Sequence, residues 1–153
     1  MAFREFYMAR KVFFSFKYED VSRAMVVRNS NVIKGDEKAG FIDKADFEAV
    51  KKQGDQAIKN WINNQLKGTT VTVVLVGEKT NKSRWVKYEI EQSIKQVNGL
   101  LGINISGIKD LQGKTTSCCE VMPKGYSFYK WVGDNGYEKL GKWVEAAAKA
   151  AGK

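Results

Sequence analysis

Apolar residues in this chain fall into short dense runs, separated by stretches in which they recur every three or four positions. Lys11-Val12-Phe13-Phe14-Ser15-Phe16 and Val71-Thr72-Val73-Val74-Leu75-Val76 are two such runs and read as buried strands. Residues 100–108 read as a further strand, long enough to be central, and Tyr126-Ser127-Phe128-Tyr129-Lys130-Trp131-Val132 as the last one. A short strand is expected at Gly40-Phe41-Ile42-Asp43, followed by a polar loop that carries Phe47 and Val50 and breaks at Gly54. Helical spacing fills the intervals. Asp20 is placed to cap a helix with the stripe Val21, Ala24, Met25, closed by Asn29-Ser30-Asn31. Ile58, Trp61, Ile62 and Leu66 form an amphipathic helix that Gly68 stops. Ser83 is a suitable N-cap for a helix whose stripe is Val86, Ile90, Ile94 and Val97. After a turn at Gly133-Asp134-Asn135-Gly136, Leu140, Trp143, Val144 and Ala147 define a closing helix with a Lys-rich outer face. Residues 109–124 are polar and turn-rich and read as an irregular excursion.

Strands alternating with helices imply an α/β fold of βαβ units: a mostly parallel sheet of about five strands, right-handed crossovers and helices on both faces. A chain of 153 residues suits one such domain, 1–153, with its own core. Ligands on sheets of this kind sit at the carboxyl ends of the strands. Those ends carry Lys17-Tyr18-Glu19-Asp20, then Asp43, then Gly77-Glu78. The helix that begins at Ser83 starts near the same edge. Its Trp85 and Glu89 are four apart, so they share a side, one that flanks the buried stripe. An aromatic plate beside a carboxylate at the edge of a core is the makings of a small-ligand site.

Composition narrows the chemistry. The chain has no histidine, which excludes Ser-His and Cys-His nucleophiles and His-ligated zinc. Catalysis must rest on carboxylates, Lys, Tyr, Ser or Cys. The only cysteines, Cys118 and Cys119, are adjacent, so neither a disulfide framework nor a metal site is expected. A net charge of +9 suits anionic partners. The Lys and Arg residues are scattered, however, and form no cluster with aromatics that would stack bases; the charge reads as a solvated basic surface rather than a nucleic-acid face. No apolar run approaches a membrane span, and the start Met-Ala-Phe-Arg-Glu-Phe-Tyr lacks the apolar core of a signal peptide, so the cytoplasm is the expected location.

Three boxes, taken in order, resemble a known family. Phe13-Phe14-Ser15-Phe16-Lys17-Tyr18-Glu19-Asp20 resembles the first box of Toll/interleukin-1 receptor (TIR) domains. Gly40-Phe41-Ile42-Asp43-Lys44-Ala45-Asp46-Phe47-Glu48-Ala49 resembles their second strand and the start of the BB loop. Ser83-x-Trp85-Val86-x-x-Glu89-Ile90 resembles the Ser-x-Trp-x-x-x-Glu motif of NAD-cleaving TIR domains. Together they cover roughly the first two thirds of the chain. Within the superfamily the chain is most similar to the TIR-like (ThsB-like) proteins of the bacterial Thoeris anti-phage system. Trp131-Val132-Gly133-Asp134-Asn135-Gly136-Tyr137 and Trp143-Val144-Glu145-Ala146-Ala147 resemble that subgroup's ending. The chain departs from many TIR domains in having Gly77 rather than Ser at the end of the third strand, and Tyr18 where several have a second basic residue.

The resemblance implies a flavodoxin-like, TIR-like three-layer sandwich. It also implies an NAD+ glycohydrolase or ADP-ribosyl cyclase, with NAD+ as substrate rather than cofactor. The product, a cyclic or modified ADP-ribose, would activate a separate effector, and TIR–TIR contacts would support a homo-oligomer. Glu89 is the implied catalytic carboxylate. Phe16, Lys17, Tyr18, Asp43, Ser83 and Trp85 are the implied substrate-binding set, with Lys17 toward a phosphate and Trp85 stacked on the substrate or simply packed. The alternative for this fold is a non-catalytic TIR-like scaffold acting through protein contacts. Taken alone, Glu89 is an ordinary helix carboxylate, Lys17 a solvated lysine, Asp43 a loop cap and Cys118-Cys119 loop thiols. Glu19-Asp20 invite comparison with phosphoacceptor receivers, but Val76-Gly77-Glu78 offers no acceptor Asp.

Overall fold

The computed structural model describes residues 10–30, the backbone of 38–39, and residues 49–153. In chain order it contains β1 (Val12–Phe16), a 3-10 turn (Tyr18–Asp20), α1 (Val21–Arg28), β2 (Lys38–Ala39), α2 (Asp55–Leu66), β3 (Val71–Val76), a second 3-10 turn (Thr80–Lys82), α3 (Arg84–Lys95), β4 (Gly99–Asn104), β5 (Ser127–Lys130) and α4 (Gly136–Ala150). The sheet has five strands in the order β2-β1-β3-β4-β5. Among the described residues every pairing is parallel, as expected of βαβ units. The chain steps from β1 to β2 in one direction and later enters β3 on β1's other side. The strand order therefore reverses between β1 and β3, which places a crevice at their carboxyl ends.

Side chains alternate across the sheet and separate two layers of core. Val12 and Phe14 of β1, Val71, Val73 and Leu75 of β3, and Leu101 and Ile103 of β4 face α1 and α4. On the opposite face Val74 and Val76 meet Val86 and Ile90 of α3, while Phe13 meets Ile58, Ile62 and Leu66 of α2. The 109–124 excursion returns along this second face and packs Cys118, Cys119, Val121 and Met122 against the α3 cluster. Among the described residues, no helix is long and apolar enough to cross a membrane.

Several expected boundaries move. Residues 40–43, expected as a strand, lie outside the described residues; the short strand paired to β1 is at Lys38–Ala39. The strand expected over 100–108 ends at Asn104, whose Oδ1 accepts bonds from Ser106 N (2.8 Å) and Ser106 Oγ (2.6 Å) and turns the chain. The last strand covers only Ser127–Lys130, because Asp134 Oδ2 takes the Lys130 N–H at 2.7 Å and the turn begins there. In α1 the buried residues are Arg23, Ala24 and Val27, whereas Val21 and Met25 are half-buried. In α3 the buried face is Val86, Glu89, Ile90 and Ser93; Ile94 is 41% exposed and Val97 57% exposed. Glu89 thus lies within the buried face instead of flanking it. Asp20 holds the N-cap position of α1, but its side chain makes no cap bond.

Close approach of α4 to the sheet depends on Gly99. A Cβ there would stand 2.5 Å from Ala147 O and 2.8 Å from Ala148 N, both backbone atoms that cannot swing aside. Gly99→Ala should therefore lower stability by about 2 kcal/mol or more in denaturant titration. Gly133→Ala, whose Cβ meets only the flexible Lys130 side chain at 3.4 Å, should stay within about 0.5 kcal/mol of the wild type. Equal effects would contradict this packing.

Candidate active site

A serine in the middle of an apolar strand needs a partner, since a buried hydroxyl left unbonded is costly. Ser15, fully buried one residue short of the carboxyl end of β1, finds that partner in Glu89: its Oγ donates to Glu89 Oε1 at 2.8 Å. Glu89 lies in the second turn of α3 and is 8% exposed. Burial pushes its carboxyl up to about 8, while the Ser15 hydroxyl, by bonding to the ionised form, acts to lower it. Among the described residues no cation contributes to that balance. At neutral pH burial favours the protonated form of the resting group.

The helix bearing Glu89 is fixed by its own sequence. Ser83 Oγ accepts the Val86 N–H at 3.2 Å and starts α3 as an N-cap. One turn after Glu89, Ser93 Oγ donates back to Glu89 O at 2.7 Å and lies 2.7 Å from Thr72 Oγ1 of β3. Asn98 Nδ2 donates to the same Thr72 oxygen at 3.2 Å. A buried polar chain, Asn98–Thr72–Ser93, thereby holds the backbone beneath the carboxylate. Ser15, Thr72, Ser93 and Asn98 were all absent from the expected site. Ser15 and Thr72 carried a sequence signal: each is a polar residue inside an apolar strand.

The remaining expected residues are distributed around this pair. Trp85 packs against the Phe13, Ile58, Ile62 and Leu66 cluster, meets Tyr88 edge-on at 6.0 Å and is covered by the Arg84 guanidinium at 4.5 Å. It is an edge-of-core packer. Phe16 packs toward the α1–α4 layer, on the other side of the sheet from Glu89. Lys17 Nζ pairs with Glu19 Oε1 at 3.4 Å, and Tyr18 begins the 3-10 turn at the end of β1. Asp43 lies outside the described residues. Ser15 and Glu89 are therefore the two groups the fold brings into direct contact.

Asp20 is a second buried carboxylate on this edge. Burial raises its pKa, and the Arg23 guanidinium, with Nη1 3.5 Å from Oδ1, works against that rise. A cleft of about 350 Å³ lies elsewhere, at the amino ends of β4 and β5 against α4, lined by Val97, Leu100, Tyr126, Trp143 and Ala147. No charged side chain lines it, and its polar side chains are Asn98, Tyr126 and Ser127. Among the described residues no cluster of His, Cys, Asp or Glu could hold a metal ion.

Comparison with known proteins covers most of the chain. The family described as the TIR-like domain of the Thoeris protein ThsB matches residues 13–110, a span that includes both Ser15 and Glu89. Over 140 residues the chain is 42% identical to a protein of Bacillus cereus (strain MSX-D12) named "Putative cyclic ADP-D-ribose synthase ThsB1", covering 90% of this chain and 72% of that relative.

Because the Glu89 pKa in the fold lies above its ordinary value of 4.5, the folded protein holds a proton that the unfolded chain releases between pH 4.5 and about 8. Stability therefore falls as pH rises across that window. Glu89→Gln keeps the Ser15 bond and removes the ionisation. Its melting temperature should match the wild type near pH 4.5 and exceed it by roughly 10 °C near pH 8. A constant difference across both pH values would show that the carboxyl is not held in a dry site.

Proposed function

This chain belongs to the TIR-like family of the Thoeris protein ThsB, and we propose from that premise that it cleaves NAD+ at the nicotinamide–ribose bond, with Glu89 as the catalytic carboxylate. The product is a cyclic ADP-ribose signal in anti-phage defence, as the name of the Bacillus cereus relative suggests. The observation that carries the reading is a glutamate 8% exposed, held by a serine hydroxyl, at the carboxyl-end edge of a parallel sheet.

The chemistry needs little else. The C–N bond to nicotinamide breaks with both electrons leaving on the ring nitrogen, whose positive charge is thereby neutralised, so no acid is required. Positive charge builds on the ribose, as in glycoside hydrolysis. Ser15 engages Oε1, and Oε2 is assigned to the sugar. A carboxylate in a dry site stabilises that charge far better than one in water. In a pocket that excludes water, a nucleophilic group of the same ADP-ribose closes the ring. NAD+ is thus a substrate, not a resident cofactor. Lys17, at the end of β1, is assigned to the pyrophosphate, and Tyr18 to the same wall. Ser83 and Trp85 act by shaping and anchoring α3. The activity is placed in the cytoplasm, with a separate effector reading the product and TIR–TIR contacts assembling the active form.

Incubation with NAD+ and chromatography of the products tests the reading. The wild type should release nicotinamide and a cyclic product, and Glu89→Gln should lose at least about a hundredfold in rate. Full activity of that variant ends the assignment. Since the ionised form is the active one, kcat/KM should rise with pH and level off above about 8. Ser15→Ala removes the hydroxyl that favours ionisation, so its plateau should begin at higher pH; a profile identical to the wild type would contradict the role given to Ser15.

A further inference from the structure

We propose that Arg23 is a positioning residue for substrate binding: it braces the carboxyl-end rim of β1, β3 and β4 in the shape that receives NAD+. The proposal rests on the NAD+ reading above. Arg23 is 7% exposed, and a buried guanidinium persists only when its donors are satisfied. Its Nε donates to Ile108 O at 2.8 Å and its Nη2 to Lys114 O at 3.0 Å. Nη1 stands 3.5 Å from Asp20 Oδ1, and Nη2 3.7 Å from Asp110 Oδ2. Asp110 Oδ1 in turn accepts the Gln112 and Lys114 N–H groups, each at 2.9 Å, and so folds the loop that Arg23 grips.

Asp20 passes this anchorage to the segment after β3. Its carboxylate lies directly on Gly77, where a Cβ would collide with Oδ2. Gly77 N donates to Thr80 Oγ1 at 2.8 Å, and Gly77 O accepts the Cys119 N–H at 3.3 Å. Cys119 Sγ accepts the Asn81 N–H at 3.2 Å. The turn over Thr80–Lys82 then runs into Ser83, the cap of α3. Residues following three different strands are thus tied to one guanidinium around the crevice where the strand order reverses. None of these bonds passes through Ser15 or Glu89. Shaping the rim and ionising the carboxylate are consequently separable, and loss of Arg23 should weaken substrate capture without moving the titration of Glu89. A lysine keeps the charge beside Asp20 but cannot reproduce the planar fork.

The test compares the full chain with Arg23→Met and Arg23→Lys by steady-state NAD+ turnover, and measures NAD+ binding calorimetrically in the Glu89→Gln background. Arg23→Met should raise KM about tenfold with kcat within about threefold, and Arg23→Lys should fall between it and the wild type. The pH midpoint of kcat/KM should stay near that of the wild type. A purely structural role would lower kcat with the folded fraction and leave KM alone; that result, or an unchanged KM, overturns the proposal. Where Arg23→Met does not fold, Arg23→Lys decides on the same KM criterion. A wild type that binds NAD+ but releases no nicotinamide overturns the proposed reaction, and the calorimetry then decides the role of Arg23 by itself: about tenfold weaker NAD+ binding supports it and equal affinity overturns it. Failure of the wild type and of Glu89→Gln to bind NAD+ at all overturns both.

Discussion

A carboxyl group sealed under a parallel sheet, bonded to one serine hydroxyl, is the constraint around which this molecule is organised. Placing Glu89 on the buried face of α3 costs stability whenever it ionises, because burial outweighs the one hydrogen bond from Ser15 and no cation among the described residues offsets it. A helix chosen for packing alone would carry an apolar residue there. The fold instead supplies Ser15 from β1 and steadies the backbone below with the Asn98–Thr72–Ser93 chain. A costly group with dedicated support is characteristic of a functional site. Under the proposed reaction the same burial would make the group useful: a developing cation on the substrate would recover in the transition state what the resting protein gives up.

Topology supplies the second element. The order β2-β1-β3-β4-β5 opens its crevice between β1 and β3, and Ser15 lies near the carboxyl end of the first of those strands. The loops around that crevice leave three strands and would move independently if only chain connectivity held them. Asp20 on Gly77, and Arg23 on the carbonyls of Ile108 and Lys114, join them into one rim. The pair Ser15–Glu89 belongs to the core, whereas Asp20–Arg23 belongs to the edge. The proposed roles follow that division, reaction in the core and capture at the edge.

Much of this was legible in the residues. The alternation of apolar runs and helical spacing gave the α/β order, and the Ser83–Glu89 spacing singled out the carboxylate. Local pattern erred where long-range geometry decides. Ile94 and Val97 continue the apolar spacing of α3, yet the helix ends at Lys95 and both stay largely exposed. Asp20 stands at a proper cap position, but its carboxylate goes to Arg23 and to the backbone of Gly77, a contact that no local rule anticipates. For Trp85 the spacing leaves stacking on a ligand and packing both open, and only the fold shows that it packs against the α2 cluster. Ser15 was quoted only as a letter in an apolar box; its meaning as the partner of Glu89 required bringing together residues far apart in the chain.

Whether Glu89 is a dry carboxyl within the fold can be read from side-chain carbon NMR of that residue across a pH titration. A single transition centred near 8 is expected, moving upward in Ser15→Ala. A transition near the ordinary 4.5 would place the group in water and contradict both the buried pair and the catalysis built on it.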